Sequence, residues 1–494
     1  MRHVRRFAPL LALWAATACG APPAPAPGPP DVLLVVLDTV RADRLSTYGH
    51  TRPTAPRLDA LAGLGVVFDD VTAAAPWTWP SHASIFTGEP PHVHGAHLAG
   101  GADASVHFGM GVSPLRPEVT TLAERFAAGG YRTEALVVNH WLHPSLGLLR
   151  GFERAHHFDR DAALFEAARR TTGRRDERPL FLFVNVMTAH SPFRDGPGDW
   201  GLADRAFLDP ERAPAWVRPY LTPDLPRGVH LSQVDDSGRP SGVIRHSTGD
   251  LVIPPEDLEK LLALYDASVA GADFVLGRLL DTWIDAGRDG VVAVTSDHGE
   301  GFGEHGLLDH RATVYPEVLA VPLVIAAPGL PSGTRVATPV SLVSLHDTLL
   351  DLAGLDHGGR SLVPLARGDA PPDPPVLAAR ASADPFWASH AGEHFAQDWH
   401  LLRAGDWALV HGSHPDTPPE LYDLRRDPRM TTDVSRTHPE RTARLLAEAR
   451  ARSGAGADAA GPDRAPAAVL DIPAEVAQGL RDLGYAAPPA APAP

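Results

Sequence analysis

Thr78, Asp38, Asp297 and His298 are the residues whose types suggest joint chemistry. Three oxygen donors and one imidazole suit a single divalent cation, and Ca, Mn or Zn all accept such a set. A cation on the Thr hydroxyl lowers its pKa, holds it in line for attack and screens the charge of an incoming ester. Each element alone is weak, because an Asp-His pair in a loop is more often solvated than liganded. Their placement joins them. Asp38 follows the apolar run VLLVVL (Val32 to Leu37), His190 follows FLFVNVMTA, and Asp297 with His298 follows VVAVTS. In an open α/β sheet, ligands bind beyond the carboxyl ends of the strands, so residues far apart in sequence meet at one rim. Thr78 lies in PWTWPSHASIFTG (Pro76 to Gly88), where Pro80 and Ser81 suit a first helical turn and Gly88 a left-handed cap. The reading places Thr78 just upstream of a helix N-terminus, where unpaired N–H groups and the dipole favour an anion. For this segment alone, an ordinary capped loop between a strand and a helix is the alternative.

The elements that must position these residues are strands alternating with helices. Val32 to Leu37, Glu134 to Val138, Phe181 to Met187 and Val291 to Thr295 are apolar runs of the kind found in strands buried on both faces. Pro56 to Ala62 and Pro117 to Ala128 read as helices, the second closing on Gly129 and Gly130, and Leu258 to Ile284 reads as a long amphipathic helix. The alternation predicts an α/β fold with a large, mostly parallel sheet flanked by helices. Residues 200 to 254, rich in Pro, Gly and Asp, read as a long insertion over the rim. From about Pro371 the composition shifts to Pro-rich linkers and short patches such as Trp407 to His411 and Leu421 to Leu424, which predicts a smaller C-terminal α+β domain. Pro473 to Leu483 reads as a last short helix. The expected division is 31–370 and 371–485, with a disordered tail at 486–494.

The chain has 494 residues, enough for two domains, and carries 60 Asp and Glu against 44 Lys and Arg. That balance argues against nucleic acid or an anionic membrane surface as the main partner. An anionic substrate then needs local positive charge, from a metal or from histidines. Residues 1–18 have a basic start, an apolar run and small residues before Cys19, the pattern of an export signal. Cys19 is the single cysteine, so the folded body has no intramolecular disulfide and no cysteine nucleophile. Ala16 to Cys19 resembles a lipobox, and the Pro and Ala-rich stretch to Pro30 an extended spacer, so the chain reads as a cell-envelope lipoprotein held through Cys19. Simple cleavage nearby, with secretion, is the alternative.

The sequence resembles the sulfatase family of the alkaline phosphatase superfamily. The matching segments, in order, include LDTVRADRLSTYGHTRPTAPRLDALA (Leu37 to Ala62), TWPSHASIFTG (Thr78 to Gly88), YDASVAGADFVLGRLLD (Tyr265 to Asp281), SDHGEGFGEHGLLDH (Ser296 to His310), VPLVIAAPG (Val321 to Gly329) and ELYDLRRDP (Glu420 to Pro428). The resemblance implies an alkaline-phosphatase-like fold and one divalent ion, Ca by the family pattern. It implies Asp38, Asp297 and His298 as ligands, Thr78 at the nucleophile position, and His190 and His310 as contacts to the anion. His82 stands where the family's nucleophile motif has Arg. Where the family has a Lys in its GKWH segment, VVNHWLH offers Asn139, His140 and His143.

The departures change the chemistry. Sulfatases carry Cys or Ser at the position of Thr78 and oxidise it to formylglycine, and Thr is no substrate for that conversion, so no formylglycine is expected. The second Asp of the family's paired N-terminal acids is Thr39. In these respects the ligand set resembles the Thr-dependent phosphotransferases and phosphodiesterases of the same superfamily. A formylglycine hydrate releases sulfate by collapsing to the aldehyde. A Thr ester must instead be opened at sulfur or phosphorus by water or an acceptor alcohol. The sequence thus predicts hydrolysis of a small-molecule, glycan or lipid sulfate or phosphate ester. A phosphoryl-headgroup transferase and a noncatalytic anion-binding protein remain as rivals. Glu300, Glu304 and His305 read as hydrogen-bonded supports of their loop, with a second metal site or a general acid as the alternatives. His92, His94 and His97 read as a rim or substrate wall before a metal site, and Trp77 and Trp79 as packing first and as a platform for an aromatic or sugar leaving group second.

Overall fold

The run DVLLVVL forms strand β1 (Asp31–Leu37), buried everywhere but at its first residue, as a strand enclosed on both faces must be. In this computed structural model, residues 28–97, 112–174, 176–191, 253–311, 313–369, 376–381, 396–452, 470 and 472–482 are described. The signal, Cys19, nearly all of the 200–254 insertion and the C-terminal tail lie outside them. The other strands of the main sheet are β2 (Val66–Phe68), β3 (Arg132–Val137), β4 (Arg154–His157), β5 (Leu180–Val186), β6 (Gly290–Thr295), β7 (Leu323–Ala326) and β8 (Thr334–Val336). Their order is β8-β2-β7-β6-β1-β5-β3-β4. Only β7 runs against its neighbours; β6, β1, β5, β3 and β4 are parallel. The expected strands are present to within two residues, and the short β2, β4, β7 and β8 extend the sheet beyond them.

Helices pack on this sheet. They are α1 (Pro56–Ala62), α2 (Thr78–Thr87), α3 (Leu122–Ala128), α4 (Ala162–Gly173), α5 (Pro255–Asp285) and α6 (Leu345–Leu352). The helix expected from Pro117 begins at Leu122, because Thr121 caps it. The Thr121 hydroxyl accepts from the Glu124 N–H and the Glu124 carboxylate accepts from the Thr121 N–H. The long helix α5 buries Leu264, Val269, Leu276 and Trp283. It also carries two buried acids. Asp273 accepts from the N–H groups of Arg57 and Leu58, capping α1, whose own N-cap residue Ala55 has no side-chain acceptor.

Asp266 accepts from Arg44 Nε at 2.8 Å and Arg52 at 2.6 Å and lies 3.1 Å from His50 Nε2, which ties the loop after β1 to α5. Burial pushes this carboxyl up, but His50, Arg44 and Arg52 together hold it below its ordinary value. A depressed folded-state pKa stabilises the fold fully above the unfolded value, about 3.9, and that contribution disappears as pH falls through the folded value. Asp266→Ala is expected to lower stability by about 3 kcal/mol at pH 7, since it takes the buried carboxylate away from Arg44 and Arg52, and to flatten the acid limb of stability below pH about 4. Urea unfolding across pH measures both.

A four-stranded antiparallel sheet follows: β9 (Val376–Ala381), β10 (Trp399–Ala404), β11 (Trp407–Gly412) and β12 (Glu420–Asp423). Period-two alternation divides its faces. Leu402, Leu409 and Leu421 form a separate cluster with Leu445 and Ala449 of α7 (Pro439–Arg452), while Leu401, Val410 and Tyr422 join the main core. The small sheet is therefore docked. Arg403 pairs with Asp70, and the Tyr315 hydroxyl donates to Glu420 at 2.7 Å. The last helix, α8 (Ala474–Asp482), buries Val476, Ala477 and Leu480. Among the described residues no helix is long and apolar enough to cross a membrane.

Candidate active site

Strands β1 and β6 are parallel neighbours with Val36 level with Thr295, so Asp38 and Asp297 leave the same end of the sheet side by side. A ligand atom from each of Asp38, Asp297 and His298 lies within 4.8 Å of the others, and all three residues are buried. Each carboxylate has one oxygen occupied. Asp297 Oδ1 accepts from the N–H groups of Thr39 at 3.3 Å and His298 at 3.0 Å, and Asp38 Oδ2 accepts from Asn139 at 2.8 Å and Asn185 at 3.1 Å. The remaining oxygens, Asp38 Oδ1 and Asp297 Oδ2, are buried without a hydrogen-bond partner among the described residues. His298 Nε2 stands 3.9 Å from the first and 3.3 Å from the second. His298 Nδ1 lies 2.9 Å from Gly299 O, a donor's position that leaves Nε2 with its lone pair. Burial drives His298 down to about 3, so it stays in the neutral form that ligates metals.

These atoms fit a divalent cation. Burial, then the Asp297 charge, push Asp38 up to about 7, which marks a carboxylate pair that resists full ionisation without a positive partner. On Asp297, burial acts upward but His298 and His82 outweigh it, and the group stays ionised.

Thr78 is the first residue of α2, one position further in than expected, with Trp77 as N-cap and Gly88 as the left-handed C-cap at φ 66°. All ten residues of α2 are buried. Thr78 Oγ1 accepts from Asn139 Nδ2 at 3.1 Å and lies 3.5 Å from His298 Nε2. The Ser81 hydroxyl donates to Asp297 O at 2.6 Å, tying the helix start to the end of β6. Thr39 adopts φ 59°, a conformation rare for a β-branched residue. Tyr265 of α5 holds it, donating to Thr39 O at 2.6 Å and accepting from the Arg41 N–H at 2.9 Å. Strain of this kind persists where surrounding contacts over-determine it.

His310 and His190 join this cluster. The His310 ring lies 4.5 Å from that of His298 and 5.3 Å from that of His190. Burial acts to lower His310, but Asp309 and Glu300 against its Nδ1 raise it to about 10, so it is an imidazolium. Burial lowers His190 to about 4, leaving it neutral. Arg311, which the sequence reading did not single out, is buried beside them; its backbone N–H donates to Pro76 O at 3.0 Å, next to the Thr78 segment.

Other expected contacts fall elsewhere. His82 is buried between Phe86 and Phe183, with Nδ1 3.1 Å from Thr78 O and 3.3 Å from Asp297 Oδ2, so it braces Asp297 from the core side. The His140 ring lies tilted against that of His157, centroids 4.5 Å apart, and sits under Gly479 of α8. Glu304 pairs with Arg41 at 2.8 Å, and His305 bridges Glu317 and Met430 O at 2.9 Å each, so both support their loop. His94 is buried 3.0 Å from Ser84 Oγ and is no substrate wall, while Trp77 packs on Trp141 at 5.5 Å, as expected of a packing residue. Asn185 went unnoticed in the sequence. Its signal was one amide inside the otherwise apolar strand LFLFVNV.

A Cβ at Gly479 would collide with the His140 ring, and His140 follows Asn139 directly. Gly479→Ala is expected to cost roughly 1–3 kcal/mol of stability by overpacking, and to reduce turnover by shifting Asn139. Thermal midpoint and kcat, measured together, check this.

Comparison with known proteins identifies the family. The sulfatase family model matches residues 30–355, and that of the N-sulphoglucosamine sulphohydrolase C-terminal region matches residues 303–449. The chain is 24% identical to arylsulfatase K of Canis lupus familiaris over 84% of this chain and 81% of that protein. It is 23% identical to delta 4,5-hexuronate-2-O-sulfatase of Bacteroides thetaiotaomicron over 88% and 89%. The crystal structure of phosphonate monoester hydrolase of Agrobacterium radiobacter shares the fold, with TM-score 0.63, 23% identity and coverage of 87% and 96%. With the family model spanning about two thirds of its length, the chain belongs to the sulfatase family, as a hydrolase of sulfuric or phosphoric esters.

Proposed function

We propose that Thr78 Oγ is the nucleophile of this hydrolase and that Asp38, Thr78, Asp297 and His298 hold one divalent ion, Ca, Mn or Zn. The observation that carries the reading is the placement of the Thr78 hydroxyl 3.5 Å from His298 Nε2, which itself stands 3.9 Å and 3.3 Å from the inward-facing, buried oxygens of Asp38 and Asp297. When bound, the ion would acidify the hydroxyl and offset the charge of the ester. Asn139 orients Thr78 Oγ1 from the other side. In the first step the Oγ–S or Oγ–P bond forms, the Thr proton passes to solvent water, from which His310 is reprotonated, and the bond to the leaving oxygen breaks. The His310 imidazolium is the group to bind the anion and give that oxygen a proton, with His190 beside it. In the second step, water adds at sulfur or phosphorus, the Thr ester opens, and the hydroxyl is restored. Oxidation of a Thr side chain yields a ketone, so formylglycine plays no part.

The substrate class proposed is a sulfated or phosphorylated glycan or small molecule, in keeping with the similarity to a hexuronate-2-O-sulfatase and a phosphonate monoester hydrolase. Export and a lipid anchor at Cys19 would place this activity at the cell envelope. Intact-protein and peptide mass spectrometry after incubation with an aryl sulfate, a phosphate monoester and a phosphate diester tests the reading. The expected result is a sulfuryl or phosphoryl adduct on the peptide containing Thr78. Turnover that requires an added alcohol would identify a transferase, and binding with neither adduct nor turnover would identify a noncatalytic member of the fold.

A further inference from the structure

Asn185 lies in β5 level with Val36 of β1, and Asp38 is two residues beyond Val36, so alternation puts Asn185 and Asp38 on the same face of the sheet. Both edges of the Asn185 amide are in use. Nδ2 donates to Asp38 Oδ2 at 3.1 Å, and Oδ1 accepts from the backbone N–H groups of Asn139 at 2.9 Å and Val138 at 3.3 Å. The residue is fully buried. A β-branched apolar side chain would suit this strand position without desolvating an amide, so packing does not explain the Asn.

Its position gives it leverage. With two amides on Asp38 Oδ2, the carboxylate cannot turn, and Oδ1 is left buried and without a hydrogen-bond partner on the side of His298. Asn139, whose backbone Asn185 holds, has its own Oδ1 occupied by the Trp141 N–H at 2.9 Å. Its Nδ2 is thereby committed to Asp38 and Thr78. We propose that Asn185 is a positioning residue, the shared anchor that sets the free oxygen of Asp38 for the cation and the Asn139 amide for Thr78. This rests on the reading of Asp38, Thr78, Asp297 and His298 as a cation site.

The test uses the full chain, with Mn²⁺ as the probe in a chelator competition and in thermal unfolding with and without the ion. Asn185→Val is expected to bind Mn²⁺ about tenfold to a hundredfold more weakly than wild type, the usual effect of losing a ligand's supporting hydrogen bond, and to gain less thermal stability from the ion. Asn185→Ser, which also reaches neither partner, serves if the Val variant does not fold. Val184→Ala, an equally buried neighbour in β5, is the control for general damage. It is expected to lower the midpoint while binding Mn²⁺ within about twofold of wild type, as a residue without a hydrogen bond to a ligand should. Wild-type affinity in a folded Asn185 variant, or an equal loss in Val184→Ala, overturns the role of Asn185 alone. A wild type that binds no Mn²⁺, Ca²⁺ or Zn²⁺ overturns the cation site itself.

Discussion

Thr78→Ala is expected to lose at least about a thousandfold in turnover on any ester the wild-type chain cleaves, the equivalent of roughly 4 kcal/mol of barrier lowering. The loss follows from position. Thr78 is fully buried at the first position of α2, with its hydroxyl between the Asn139 amide and His298 Nε2. Removing the hydroxyl removes the atom proposed to form the covalent ester, whereas the ten-residue helix and its Gly88 cap do not depend on it. Circular dichroism and thermal midpoint should therefore stay close to wild type. Thr78→Ser should recover part of the activity, because the hydroxyl returns but the restriction that a β-branched side chain places on χ1 does not. Rapid quench with a labelled substrate should trap label on the Thr78 peptide. Undiminished turnover in Thr78→Ala would replace this mechanism with direct attack by water.

Asp297→Asn is expected to have a comparable effect by a different route. The substitution keeps an oxygen to accept the Thr39 and His298 N–H groups, and so keeps the strained turn at Thr39 in place. It removes the negative charge at Oδ2, the buried oxygen that lacks a hydrogen-bond partner. Wild-type protein should contain at least one equivalent of divalent ion by elemental analysis, and the variant should contain none. Turnover should fall about a thousandfold or more, since in the proposed mechanism both the nucleophile's activation and the screening of the ester depend on the ion. Chelation of the wild type should reproduce the loss, and added divalent ion should reverse it. A metal-free wild type with full activity would sink the proposal.

Much of the site was legible because its main residues sit at ends of strands whose apolar runs announce burial. Asp38, His190, Asp297 and His298 each follow such a run, and in a parallel sheet the carboxyl ends of neighbouring strands share one edge. Thr78 was legible from the Pro and Gly that frame a short helix. Local sequence encodes period and punctuation, and these were enough for element type, burial and the meeting of strand ends.

What remained was decided by partners far away in the chain. Which oxygen of Asp38 is free depends on Asn139 and Asn185, more than a hundred residues further on, and on a strand register that no local pattern records. His82 turned out to brace Asp297 from the core because the i to i+4 geometry of α2 carries its Nδ1 to Thr78 O, and Phe86 and Phe183 close around the ring. His140 lies beneath Gly479 because a helix from the other end of the chain packs on the segment after Asn139. The sequence by itself determined which residue types stand at the rim. Only the tertiary structure decided which of their atoms face one another, because a carboxylate or an imidazole has two polar atoms and packing, not composition, chooses which one is left free.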